Sequence, residues 1–121
     1  MRIEKPVKHI DKPWGFEDLM DLTDRYAVKV IGFNKGARCS LQKHVNKCET
    51  IYVLSGKVMV EEDNANHELE EHVYLPGQFY TQRPGFAHRV NALEDSQILE
   101  ISTPELDDVI RLEDDYGRED K

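Results

Sequence analysis

The chain has 121 residues, with 24 Asp plus Glu against 16 Lys plus Arg and a formal charge of −8. That acidic excess argues against a nucleic-acid-binding face or a basic patch on an anionic membrane, both of which need clustered positive charge. The 39% of hydrophobic residues is enough for one core and, at this length, for burial of roughly two-thirds of the unfolded surface. One domain over 1–121 is expected, with an extended N-terminal arm over 1–15 and an acidic tail over 104–121. Met1 to Pro6 holds no apolar run of the signal-peptide kind. No apolar stretch approaches the roughly 18 residues of a membrane span. Two cysteines, Cys39 and Cys48, make no disulfide framework. A reduced, cytoplasmic protein is the expectation.

The arm reads as extended around Pro6 and Pro13, and Phe16 to Met20 is too short to decide between helix and strand. From Tyr26 the signals are strand-like. Tyr26–Ile31 leads to Gly32, Arg38–His44 alternates, and Thr50–Leu54 is rich in β-formers before Ser55-Gly56. Lys57–Val60 and the polar tip Glu61–Asn66 read as a hairpin. Val73–Leu75, Phe79–Thr81, His88–Asn91 and Ile98–Ser102 follow between Pro-Gly breaks. Short strands at such spacing give an all-β sandwich or barrel. The tail reads as a turn-and-helix segment packing through Leu106, Val109, Ile110 and Leu112.

Strand alternation puts Gln42 and His44 on one face, together with Arg38 and Ser40. Glu49 can join them from the next strand, and His88 follows the Pro84-Gly85 break. Two imidazoles, a carboxylate and an amide oxygen suit Zn²⁺, Mn²⁺ or Fe²⁺. A lone histidine in a β protein is more often a surface or core residue, so spacing alone leaves both a metal site and ordinary packing open. His9, His67 and His72 have nothing converging on them.

Gly36-x5-Gln42-x-His44-x4-Glu49-x6-Gly56 resembles the first cupin motif, with Gln42 in place of the usual first His. Gly77-x5-Arg83-x-Gly85-x2-His88 resembles the second, with Arg83 at a usual proline. Lys12-Pro13-Trp14-Gly15, Ser40-Leu41-Gln42 and the tail Asp107 to Arg118 are similar to the cupin domain of type II mannose-6-phosphate isomerases. The fold implied is a double-stranded β-helix. The metal ligands implied are Gln42, His44, Glu49 and His88, holding one divalent ion, zinc first. The chain departs from that branch at Val45-Asn46-Lys47-Cys48, where a His/Arg-rich run is usual. The nucleotidyltransferase domain often fused to these cupins is not among the 121 residues, so nucleotide-sugar synthesis is not expected of them.

The reaction implied is aldose–ketose isomerisation of a small sugar phosphate through a metal-stabilised enediol. Glu100 is the candidate base if it faces inward; alternatively it faces out or pairs with an arginine. Arg38 is the candidate clamp on a substrate anion, with Ser40, Arg83 and Arg111 as further substrate contacts, although most arginines are exposed. Two other readings stand beside it: a non-catalytic metal-containing sugar-binding cupin, and an epimerase-type sugar enzyme. A homodimer is expected, with the N-terminal arm crossing between subunits.

Overall fold

The computed structural model describes residues 2 and 5–118; residues 1, 3 and 4 of the arm and 119–121 of the tail lie outside the described residues. Eleven strands run in order: β1 (Lys8–Lys12), β2 (Gly15–Leu22), β3 (Ala27–Phe33), β4 (Leu41–Lys43), β5 (Glu49–Ser55), β6 (Val58–Asp63), β7 (Leu69–Tyr74), β8 (Phe79–Gln82), β9 (His88–Ala92), β10 (Ser96–Ser102) and β11 (Ile110–Glu113). They form a six-stranded sheet, β1-β2-β3-β10-β5-β8, and a five-stranded sheet, β11-β4-β9-β6-β7. Every pairing is antiparallel. Among the described residues there is no helix, and hence none long and apolar enough to cross a membrane.

From β3 the chain passes from one sheet to the other until it reverses at the β6–β7 hairpin. On its way back it lays β8 beside β5, β9 beside β4 and β10 beside β3. The two-sheet barrel is therefore wound as a double-stranded helix. The side-chain period of two supplies its core. Ile31 and Phe33, Ile51 and Val53, Val58 and Val60, and Val90 and Ile98 point inward and are buried, with Trp14 stacked on Phe33 at 4.5 Å.

One reading left open by the sequence is settled and one expectation is corrected. Phe16 to Met20 is strand, because β2 has β1 on one side and β3 on the other to take its hydrogen bonds. The tail holds no helix among its described residues. Ile110–Glu113 pairs with β4 instead, since that edge of the five-stranded sheet offers backbone partners that a three-residue strand leaves open.

Gly56, in the β5–β6 turn, has φ +84°, and a Cβ there would lie 2.3 Å from Ser96 Oγ and 2.4 Å from the Asp95 carbonyl oxygen. Gly56→Ala combines left-handed strain with a backbone clash, and a loss of about 2–4 kcal/mol is expected in denaturant unfolding.

Candidate metal centre and its cavity

Three side chains converge inside the barrel. His44 follows β4, Glu49 opens β5 and His88 opens β9. His44 Nε2 lies 3.0 Å from Glu49 Oε1, and His88 Nε2 lies 3.1 Å from the same oxygen. One ligand atom from each falls within 4.8 Å of the others. All three are buried, Glu49 being 1% exposed. Gln42 is directly opposite His88 in the β4–β9 register, and its Oε1 accepts a hydrogen bond from Ser40 Oγ at 3.0 Å.

The hydrogen bonds set the state of the cluster. His44 Nδ1 faces the Asp108 carbonyl, which can only accept, so His44 carries a proton there. In the neutral ring the Nε2 lone pair is then turned on a carboxylate oxygen 3.0 Å away, and a cation, either proton or metal, has to lie between them. Among the described residues His88 Nε2 and Glu49 Oε2 are buried and make no well-formed hydrogen bond, facing only charged neighbours, Glu49 Oε1 at 3.1 Å and Lys47 Nζ at 3.4 Å. Tyr80 OH, 3.1 Å from His88 Nδ1, holds the other side of that ring. Two imidazoles, a carboxylate and the nearby Gln42 amide fit a divalent cation of the zinc, manganese or iron type. The orphaned atoms are those a bound ion would satisfy.

Charge is dense around the cluster. Burial opposes ionisation of Glu49, but the donors about it, Glu100 first and then His44 and His88, hold it well below the usual carboxylate range. Glu100 goes the other way: burial first, then the neighbouring Glu49, keep it protonated well above that range. Lys47 Nζ bridges the two carboxyls, 3.4 Å from Glu49 Oε2 and 3.3 Å from Glu100 Oε2. Burial opposes the Lys47 charge, and Glu100 and Glu49 outweigh it, raising the ammonium's affinity for its proton. Lys29 Nζ lies 4.0 Å from Glu100 and 3.5 Å from Glu17.

An inner cavity of about 110 Å³ opens beside the cluster, with Gln42, His44, His88, Lys47 and Glu100 on its wall. The sequence-derived candidates divide as follows. Gln42, His44, Glu49 and His88 come together, and Glu100 faces inward on the same face as Ile98 and Ser102. Arg111 reaches the cavity wall, in register across β11–β4 from Gln42. Ser40 is buried and reaches the site through Gln42. Arg38 is not on the cavity wall: it is half-buried and bound in a two-point contact by Asp115, at 2.7 and 2.8 Å. Residues 37–40 make only an isolated bridge at Arg38, so strand parity does not carry through to Gln42. Cys39, three residues before Gln42, lines the cavity instead. Arg83 is likewise turned away, exposed on a separate surface depression with Asp63 and Phe86, because the Pro84-Gly85 turn carries it outward.

Residues missed from sequence are the buried cations. Lys47 sits two positions before Glu49, and Lys29 shares the inward parity of Ala27, Ile31 and Phe33. For Lys29, a lysine on the inward face of a strand was the available signal; Lys47 lies in the β4–β5 loop, where alternation offers none.

Asp108 anchors the tail to the site. Its carboxylate accepts from the backbone N–H groups of Val45, Asn46 and Lys47 at 2.7–2.9 Å, while its carbonyl takes His44 Nδ1–H. The Val45 contact first, with Asn46 and Lys47 adding and burial opposing, holds its carboxyl below the usual value. That contribution is present above the unfolded value near 3.8 and is lost as pH falls through the lower folded one. Asp108→Ala should cost about 1–2 kcal/mol in a thermal melt at neutral pH and flatten the acid limb of the stability profile.

Residues 3–114 match the family model described as mannose-6-phosphate isomerase C-terminal. The chain belongs to that family. It is 36% identical over 111 residues to the alginate biosynthesis protein AlgA of Pseudomonas aeruginosa, covering 88% of this chain and 22% of that protein. With the mannose-1-phosphate guanylyltransferase of Escherichia coli K12 the identity is 32% over 115 residues, 92% of this chain and 23% of the relative. The chain thus spans less than a quarter of these relatives. Among solved structures, an RmlC-like cupin from Shewanella frigidimarina superposes with a TM-score of 0.70 at 17% identity, over 82% of this chain and 85% of that one. The cupin double-stranded β-helix expected from the two glycine-framed motifs is the fold found.

Proposed function

We propose that this cupin domain is a metal-dependent aldose–ketose isomerase acting on a small sugar phosphate, of the mannose-6-phosphate isomerase type. The observation that carries it is the inward Glu100 carboxyl beside a His–Glu–His cluster in which the buried His88 Nε2 and Glu49 Oε2 make no well-formed hydrogen bond among the described residues. His44, Glu49, His88 and Gln42 would hold a divalent ion, zinc first, which would supply Lewis-acid polarisation of the substrate's carbonyl and hydroxyl oxygens. Glu100 moves the proton between C1 and C2. The first step needs Glu100 as the carboxylate, the form that Lys47 and Lys29 favour against burial and Glu49; that carboxylate takes the proton from one carbon and, now a carboxylic acid, returns it to the next. The core residues around the cavity, Ile51, Val90 and Ile98, exclude water from that transfer. The family match and the relationship to a mannose-1-phosphate guanylyltransferase support the sugar-phosphate class.

The test is incubation of the zinc-loaded protein with mannose 6-phosphate and measurement of fructose 6-phosphate. Turnover that EDTA abolishes and zinc or manganese restores is the expected result. Absence of turnover with several phosphorylated and free sugars overturns the reading. An inner cavity of only about 110 Å³ favours, as second reading, a cupin that binds part of a sugar without converting it; saturable ligand binding with no product would then be seen.

A homodimer is part of the same proposal. The outer face of the six-stranded sheet presents Val30, Tyr52, Leu54, Phe79, Leu99 and Ile101, with Tyr52 opposite both Phe79 and Leu99 in register. Phe79 is 63% exposed, and a contiguous apolar sheet face of this kind is a surface for a second copy. Light scattering should give about twice the 14.1 kDa chain mass.

A further inference from the structure

Beside the inner cavity lies an outer groove of about 380 Å³, and Lys12, Glu17, Lys29, Leu106, Val109 and Arg111 line both. Alternation along β1 turns Lys8, Ile10 and Lys12 to the groove, β3 adds Lys29 and β11 adds Arg111. Four cations and two carboxylates, Glu17 and Asp107, therefore line the entrance of a chain whose formal charge is −8. We propose that this groove is an anion subsite in which Lys12, Lys29 and Arg111 hold the phosphate end of a substrate whose other end reaches the His44–Glu49–His88 cluster. The assignment rests on the sugar-phosphate reading above and fixes which way round the substrate enters.

Three observations carry it. The inner cavity, about 110 Å³, is well below the roughly 300–1,000 Å³ of ordinary small-molecule sites, so a sugar phosphate has to extend into the groove. The Lys29 side chain is only 12% exposed, yet its carboxylate contacts, 3.5 Å to Glu17 and 4.0 Å to Glu100, are long for an ammonium with three donors. A phosphate oxygen offers that ammonium a closer acceptor. Trp14, 4% exposed and on the inner cavity wall, has an indole N–H without a partner among the described residues, so a ligand rich in acceptors matches the wall it would pass. The two arginines that alternation and motif spacing suggest for this role, Arg38 and Arg83, are outside the cavity.

The probe is inorganic phosphate, titrated by calorimetry into both the EDTA-treated and the zinc-loaded protein. Saturable binding is expected in both forms, because the groove cations are not metal ligands, and it should weaken as salt is raised. Lys12→Ala and Lys29→Met should each weaken it about tenfold, the loss of one charge-assisted contact, with zinc content unchanged. Lys12 lies on the β1–β2 hairpin, so its variant remains informative if Lys29→Met does not fold. In turnover, Lys12→Ala should raise KM for mannose 6-phosphate with little change in kcat. Phosphate that binds only the zinc form, or binds Lys12→Ala as tightly as the parent chain, overturns the subsite. Phosphate binding with no isomerisation overturns the catalytic reading alone.

Discussion

Replacing His88 with alanine is expected to strip the bound metal: the parent chain should purify with about one divalent ion per molecule and the variant with almost none. His88 Nε2 is one of three ligand atoms gathered within 4.8 Å, and it is buried and makes no well-formed hydrogen bond among the described residues. Loss even of a group that merely orients a ligand weakens metal sites about 10–100-fold. Removing a ligand outright should cost at least about a hundredfold, which elemental analysis and competition with a zinc chelator would resolve. Metal that binds the native state alone also stabilises it, by about 2.7 kcal/mol at a hundred times Kd. EDTA should thus lower the parent Tm and leave the His88→Ala Tm unmoved. His44→Ala gives a second reading of the site if the cavity left by His88 compromises folding. Metal retained at full stoichiometry in both variants would remove the cluster as the metal centre.

The sequence made the fold readable because the apolar alternation and the Gly/Pro breaks agree with one another from Tyr26 to Ser102. The strands Ala27–Phe33, Glu49–Ser55 and Ser96–Ser102 each carry their inward residues at the expected period. Spacing alone left His44, Glu49 and His88 open between a metal site and ordinary packing, and it was the resemblance to the two cupin motifs that grouped them. Arg38 was not legible, since parity holds only along a continuous ladder and the chain makes only an isolated bridge at that residue. The tail strand could not be read from composition, because what makes Ile110–Glu113 extended is an open edge on β4, a tertiary fact. The two lysines were obscured for different reasons: Lys29 shares a face with core residues but belongs to the residue type most often found in water, and Lys47 lies in the β4–β5 loop, where no strand period applies. Functional sites are where such local rules give way, and here the polar intrusions on inward faces gather around one cavity.

Glu100→Gln should abolish turnover while leaving the metal in place. In the metal-free protein burial and Glu49 hold Glu100 protonated, and glutamine matches that form in shape and charge, so the contacts to Lys47 and the core are largely kept. A carboxamide cannot take a proton from carbon and return it, and loss of a positioned base costs about 10²–10⁴-fold. The fall should appear in kcat, with KM for mannose 6-phosphate close to the parent value, since the proposed substrate contacts lie on Lys12, Lys29 and Arg111. A second readout separates this role from a structural one. In the metal-free protein, between the unfolded carboxyl value near 4.5 and the raised folded value, the folded chain keeps a proton that the unfolded chain has lost. Stability therefore declines as pH rises through that window, and Glu100→Gln should remove that part of the decline. A variant with parent-like kcat would take Glu100 out of the chemistry. One that lost zinc along with activity would make it a support for Glu49, and the proton would have to move by another inward group, of which Lys47 is placed on the same cavity wall.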